Sequence, residues 1–168
     1  ATPLGAATRE FFESSWEEAQ DLLGKTPVLR VAPETALVPF SFRFELDCRY
    51  KRGTPSAGRV ELVDGTLSGA IRYRPDLFLA VEGEPTVMVF VDSEPNLLNP
   101  HYSRQFGVLC LGSLPPGPLL LSDLLEHMAS ILRYQNLALD DPADAEAAWY
   151  FATDSGALDG LRDVEPLY

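Results

Sequence analysis

The sequence predicts an α+β fold in which an antiparallel β-meander is flanked by helices. Three observations predict it: a helical apolar stripe near the start, strict alternation over residues 40–50, and a second helical stripe after Ser122. A length of 168 residues corresponds to one domain, and a hydrophobic content of 46% is enough for a core. We therefore expect a single domain over residues 1–168, with its core at about 8–151 and a short polar tail at 152–168.

The first predicted element is a helix over residues 8–23, and Gly24 supplies its C-terminal stop. One face repeats apolar residues at steps of three and four, and the opposite face is acidic. We interpret the acidic face as a solvated helix surface. The apolar residues are Phe12, Trp16, Ala19 and Leu23, and the acidic ones are Glu10, Glu13, Glu17 and Asp21.

A strand follows at residues 40–50, where apolar and polar side chains alternate. This period is typical of a strand that is buried on one face only. Cys48 lies on the apolar side, so we interpret it as a small buried hydrophobic residue and not as a reactive thiol.

Further short strands are predicted after this one. The Asp64-Gly65 step is a turn signal that separates two of them. The run at residues 86–91 does not alternate, so we expect this strand to be covered on both faces. The predicted strands are residues 59–63, 70–73, 78–81 and 86–91.

A loop rich in proline and glycine is predicted at residues 93–118, and long ordered loops are often functional. A helix then runs from a Ser122 cap to about Tyr134, with His127 lying off its buried stripe. The last helix begins at Asp141, an N-cap followed by proline at the first helical position. The buried stripe of the first of these helices consists of Leu124, Leu125, Met128, Ile131 and Leu132.

The charge balance restricts the partners. The chain has 25 acidic and 13 basic residues, a formal net charge of −12, which repels phosphate backbones and anionic lipid. No apolar run reaches the length of about 18 residues that a membrane span needs, and the first residues lack a signal-peptide pattern. We therefore expect a cytoplasmic protein with reduced thiols and a protein partner, and neither nucleic acid nor a membrane.

The number and positions of the cysteines limit the kinds of site that the chain can form. Two cysteines are too few for a disulfide framework, and no His/Cys cluster has metal-ligand spacing, so we expect neither a cofactor nor a metal. Cys110 is the candidate for chemistry, because it lies late in the predicted loop. Its flanking residues Leu109 and Leu111 by themselves favour a buried structural cysteine.

Ordered motifs around Cys110 change that interpretation. Their order resembles the ubiquitin-conjugating enzyme family, in which a His-Pro-Asn turn precedes Gly-x-Ile-Cys-Leu, a Ser-Ile helix and an Asp-Pro step before a Glu-Ala-Ala helix, although the spacing from the turn to Cys110 is one residue longer here. The resemblance extends over residues 40–151 and includes Gly83-Glu84-Pro85 before the last sheet strand. The motifs are Asn99-Pro100-His101, Gly-Val-Leu-Cys-Leu at 107–111, Ser130-Ile131-Leu132, Asp140-Asp141-Pro142 and Glu146-Ala147-Ala148.

The resemblance implies a ubiquitin-conjugating-enzyme-like fold, with an N-terminal helix, a β-meander, an active-site loop and C-terminal helices. It also implies that Cys110 accepts a ubiquitin-like protein as a thioester and passes it to an acceptor amine. Asp141 matches the acidic residue that orients and deprotonates the acceptor lysine, although a helix cap explains it equally well.

The family uses the asparagine of its turn to stabilise the oxyanion, but the turn here reads Asn99-Pro100-His101. Aligning the prolines puts His101 in that position, and Asn99 is the other candidate. His101 could also act as a base. The structural alternative is that both side chains only tie the loop to neighbouring backbone.

The implied partners are a ubiquitin-like protein, an activating enzyme and an acceptor protein. Because the first helix is acidic where the family's is basic, we expect a basic docking surface on the activating enzyme. These departures from the family pattern suggest a member of a bacterial ubiquitin-like conjugation system. Some systems of this kind serve in antiviral defence. Two other functions stay open: a catalytically silent binding or adaptor module of the same fold, and a hydrolase triad of Cys110, His101 and Asp141.

Overall fold

A computed structural model describes residues 3–34, 40–74, 86–112, 118–137, 141–161 and 167. Across these residues the fold is α+β, with three α-helices and one six-stranded sheet in which every paired strand is antiparallel. The first four strands form a meander, and the last two form a small hairpin at the far edge. The predicted α+β class, with its antiparallel meander, is therefore confirmed.

The sheet order is β1-β2-β3-β4-β6-β5. A 3₁₀ turn at Pro55–Ala57 joins β2 to β3. The strands are β1 (Leu29–Pro33), β2 (Ser41–Thr54), β3 (Arg59–Tyr73), β4 (Val87–Val91), β5 (Tyr102–Ser103) and β6 (Val108–Leu109), and the helices are α1 (Pro3–Gly24), α2 (Leu121–Leu132) and α3 (Ala145–Thr153).

The core lies between the sheet and the helices α1 and α2. The alternation predicted for β2 is confirmed, because its apolar side is buried while Arg43 and Glu45 on the other side are exposed. Trp16 of α1 packs on Phe42, with their ring centroids 5.4 Å apart. The buried residues of this strand are Phe42, Phe44, Leu46, Cys48 and Tyr50.

The prediction of two short strands at 59–63 and 70–73 is wrong, because β3 runs through both without a break. Gly65, predicted as part of a turn, pairs with Cys48 in the middle of the β2–β3 ladder. The chain turns earlier, at the 3₁₀ turn, where Gly58 takes a left-handed φ of 67°. Pairing along the full length of β2 outweighs the local turn preference of Asp-Gly.

The expectation that the strand at 86–91 is covered on both faces is also wrong. In β4, Val87, Val89 and Val91 are buried, whereas Met88 between them is 41% exposed. Apolar residues on the outer face of this strand concealed its alternation. The strand predicted at 78–81 lies outside the described residues.

The helices are confirmed, but their ends differ from the prediction. α1 begins at Pro3, ahead of the predicted start. α2 begins at Leu121 with Leu120 at the N-cap, so Ser122 is not the cap. The N–H of Leu121 donates instead to the hydroxyl of Ser15 on α1, 2.7 Å away, which joins the two helices.

The far end of α2 and the start of α3 are also corrected. α2 ends at Leu132, and Tyr134 follows in a left-handed conformation with a φ of 58°. Asp144 is the N-cap of α3, where its side chain accepts a hydrogen bond from the N–H of Ala147, so Asp141 is not the cap. The predicted stripe of α2 is confirmed, since all of its residues are buried: Leu124, Leu125, Met128, Ile131 and Leu132.

The buried core continues beyond residue 151, since Ala157 and Leu161 in the segment predicted as a polar tail are each 1% exposed. None of the helices in the described part of the chain has both the length and the apolar character needed to cross a membrane.

Candidate functional site

Cys110 is exposed at the point where β6 ends. Both of its neighbours, Leu109 and Leu111, are buried, and they fix the strand end against the core. The backbone N–H of Cys110 donates to the carbonyl oxygen of His101 at 2.6 Å. Cys110 is therefore exposed, while its backbone is held by the hydrogen bond to His101.

Cys48 has the opposite environment. It is buried in β2, as the sequence predicted, and burial raises the pKa of its thiol to about 12. Because the thiolate is the nucleophile, Cys48 is unreactive in the folded protein. Cys110 is thus the cysteine that a substrate could reach.

Asn99 belongs to the turn that contacts Cys110 through His101, and it is fully buried. Its Nδ2 donates to the carbonyl of Ile131 at the end of α2 at 3.0 Å, and its Oδ1 accepts from the N–H of His101 at 2.9 Å. Both ends of the amide are therefore bonded to backbone. These bonds tie the turn at residues 99–101 to α2.

His101 is 8% exposed, and its ring is hydrogen-bonded to the backbone of Asn136. Burial, and then the nearby ring of His127, lower the pKa of His101 below its ordinary value, so the imidazole is neutral at pH 7. Its Nε2 is buried and has no hydrogen-bond partner among the described residues. His101 touches Cys110 through its backbone carbonyl.

His127 is a residue of this site that the sequence analysis did not select. It projects from α2 and bonds through Nε2 to the carbonyl oxygen of Leu111 at 2.6 Å. Because a carbonyl only accepts, Nε2 must carry the proton. One signal could have drawn attention to it: the chain has two histidines, and one already lay in the motif at residues 99–101.

Asp141 is exposed and takes a left-handed φ of 52°. Its segment is attached to the same turn, because the N–H groups of Ala143 and Asp144 both donate to the carbonyl of Pro100, at 2.8 and 3.2 Å. Asp144 also accepts a hydrogen bond from Arg104 at 3.1 Å. The backbone thus connects Asp141 to the site through Pro100, which adjoins His101.

These contacts define what the site can do. An exposed thiol stands on a loop whose backbone is fixed by α2 and by the turn at residues 99–101, and an exposed carboxylate lies on the next segment attached to that turn. Such an arrangement suits nucleophilic attack on a large substrate that docks from outside, because Cys110 is exposed among the described residues. Within the described ranges, no three His, Cys, Asp or Glu side chains come together in a way that could hold a metal ion.

Compared with models of known protein families and with curated proteins, the chain matches none.

Proposed function

We propose that this protein is a cysteine-dependent conjugating enzyme, which receives a ubiquitin-like protein as a thioester on Cys110 and transfers it to an acceptor amine. The observation that carries the proposal is the exposed Cys110 at the end of β6, bonded through its N–H to His101 of the Asn-Pro-His turn. The family resembled by the sequence has its cysteine and its turn in this order. Contact between these two motifs supports reading them as one site.

The reaction needs two acyl transfers. In the first, the Cys110 thiolate attacks the thioester carbonyl; a new C–S bond forms, and the activating enzyme's cysteine leaves as a thiolate that takes up a proton. In the second, the acceptor amine attacks the same carbonyl, a C–N bond forms, and Cys110 leaves. The proton lost by the amine passes to a base, for which the exposed carboxylate of Asp141 is the candidate.

The contacts of the turn residues support a structural role for each of them in this proposal. Asn99 shapes the loop, because its amide is bonded at both ends to backbone. His101 supports the Cys110 peptide through its carbonyl oxygen. We propose that the oxyanion forms on the solvent side of this loop, where the Cys110 thiol is exposed, and that the turn holds the Cys110 backbone in place.

The test is a charging reaction. The protein is incubated with ATP and with a ubiquitin-like protein and activating enzyme encoded beside its own gene, and is then run on a non-reducing gel. We expect an adduct that a thiol reductant removes and that Cys110→Ala abolishes. Cys110→Ser should trap an oxyester that resists the reductant, and Cys48→Ala, the matched control, should still form the thioester.

A catalytically silent adaptor is the second candidate. It is favoured by the burial of the Asn99 amide, whose two ends are both bonded to backbone within the fold. If no adduct forms although the ubiquitin-like protein binds, this alternative replaces the first. Hydrolysis of a small thioester by the protein alone would instead favour the hydrolase.

A further inference from the structure

Two short hydrogen bonds hold the backbone on either side of the Cys110 side chain. On one side, the N–H of Cys110 donates to the carbonyl of His101 at 2.6 Å. On the other side, the Nε2–H of His127 donates to the carbonyl of Leu111, also at 2.6 Å. The first bond belongs to the turn at residues 99–101 and the second comes from α2, so two separate parts of the fold hold this segment.

We propose that His127 is a positioning residue for Cys110, and this inference rests on the proposed function. His127 does not touch the thiol in this scheme. It fixes the carbonyl one residue beyond Cys110 and thereby sets the direction in which the thiol meets the incoming thioester. A thiol that must attack along a defined trajectory depends on such alignment, and a displacement of 1 Å can reduce a rate by about 100-fold.

His127 projects from a closely packed part of α2. The following residue, Met128, is fully buried, and so is Ile131 one turn further along α2. The hydroxyl of Ser130 donates to the carbonyl of His127 at 2.7 Å, which adds a contact within the same turn. A side chain on a packed helix transmits its position to the loop more accurately than one on another loop.

A second observation marks this place as more than ordinary loop packing. His101 is more than nine-tenths buried, its Nε2 has no hydrogen-bond partner among the described residues, and the nearby ring of His127 adds to burial in lowering the pKa of His101. An unsatisfied buried nitrogen weakens a fold, so such groups call for a functional explanation. Both histidines of the chain are thus bonded to the backbone of the Cys110 segment, His101 through its carbonyl and His127 through its ring.

The experiment compares His127→Gln with His127→Leu. The side-chain amide of glutamine offers an N–H at the same distance along the side chain as Nε2, whereas leucine fills similar space with no donor. Three quantities are measured for each variant: the rate of thioester formation, the amide exchange rate of Cys110, and the free energy of unfolding. The third identifies any variant that has simply lost its fold.

We expect His127→Gln to keep both rates within about twofold of wild type. In His127→Leu we expect thioester formation to fall by about tenfold or more and exchange of the Cys110 amide to rise by a similar factor. Wild-type rates in His127→Leu would overturn the proposal, as would an equal loss in His127→Gln. If wild-type protein forms no thioester, the proposed function fails, and amide exchange alone decides whether His127 holds the segment.

Discussion

Replacing Asn99 with alanine tests whether this side chain holds the Cys110 loop or takes part in the chemistry. The side chain is fully buried and makes two hydrogen bonds, to the carbonyl of Ile131 at 3.0 Å and to the N–H of His101 at 2.9 Å. Asn99→Ala leaves one buried acceptor and one buried donor without these partners. Each unsatisfied group costs about 1–3 kcal/mol, so we expect the free energy of unfolding to fall by about 2–4 kcal/mol after partial relaxation.

This loss is measurable by urea unfolding followed through tryptophan fluorescence. Trp16 is partly buried and packs on Phe42 of the core, so its emission changes when the core unfolds. Asn99→Asp is the matched variant, because it keeps the acceptor for His101 but turns a second oxygen toward the carbonyl of Ile131. We expect Asn99→Asp to lose at least as much stability, since a buried carboxylate faces a carbonyl dipole there. For a domain of this size, about 3 kcal/mol lowers the unfolding temperature by roughly 6–12 °C.

The opposite pattern would refute this reasoning. If Asn99→Ala unfolds within about 0.5 kcal/mol of wild type, as surface substitutions do, its two hydrogen bonds contribute little. If the same variant then loses acyl transfer by tenfold or more at a temperature where it is folded, Asn99 takes part in the reaction. A stable variant with normal transfer would exclude both roles.

Three further predictions concern the thiols, pH and the end of α2. At neutral pH, iodoacetamide should modify Cys110 and leave Cys48 intact, because burial raises the pKa of Cys48 to about 12; peptide mass spectrometry checks this, and modified Cys48 in native protein would contradict it. Folding lowers the pKa of His101, so the unfolded chain binds more protons than the folded protein as the pH falls below about 6.5. The contribution of His101 to the free energy of unfolding should therefore be complete above that pH and decline below it. His101→Asn should flatten the plot of unfolding free energy against pH in this range, and an unchanged slope would argue against the prediction. Tyr134→Phe should lower the free energy of unfolding by about 1–3 kcal/mol, because the buried carbonyl of Leu98 loses its 2.7 Å hydrogen bond to the Tyr134 hydroxyl. Urea titration measures this change, and a loss below about 0.5 kcal/mol would contradict the prediction.

The elements that the sequence predicted well are those whose pattern records burial directly. β2 alternates because one face packs on the core, and the stripe of α2 repeats because one side of the helix does so. β3 was divided in error because Asp64-Gly65 is a local signal, whereas the strand is held by residues of β2 that are distant in sequence. The local sequence of a strand does not show which distant strand it will pair with.

The functional role of Cys110 stays a prediction, which rests on the order of its motifs. The contact between the backbone of Cys110 and the turn at residues 99–101 is observed in the structure. The cap of α3 was assigned to Asp141, three residues before the observed Asp144, because either aspartate satisfies the local pattern. In the structure Asp144 is also bonded to Pro100 and Arg104. These partners are distant in sequence, so the residues around Asp144 give no sign of them. His127 was missed because its partner is a backbone carbonyl, which has no signature in the sequence.

The short length of β6 explains why the position of Cys110 depends on the hydrogen bonds of Asn99 and His127. This strand has two residues and two paired positions with each of its neighbours, so the ladder by itself gives little rigidity to the residue that follows it. Asn99 and His127 supply the missing constraint by joining the Cys110 segment and its supporting turn to α2. Substitutions at these two positions should therefore change Cys110 reactivity more than substitutions on the acidic face of α1, whose exposed carboxylates lie on the solvent side of another helix.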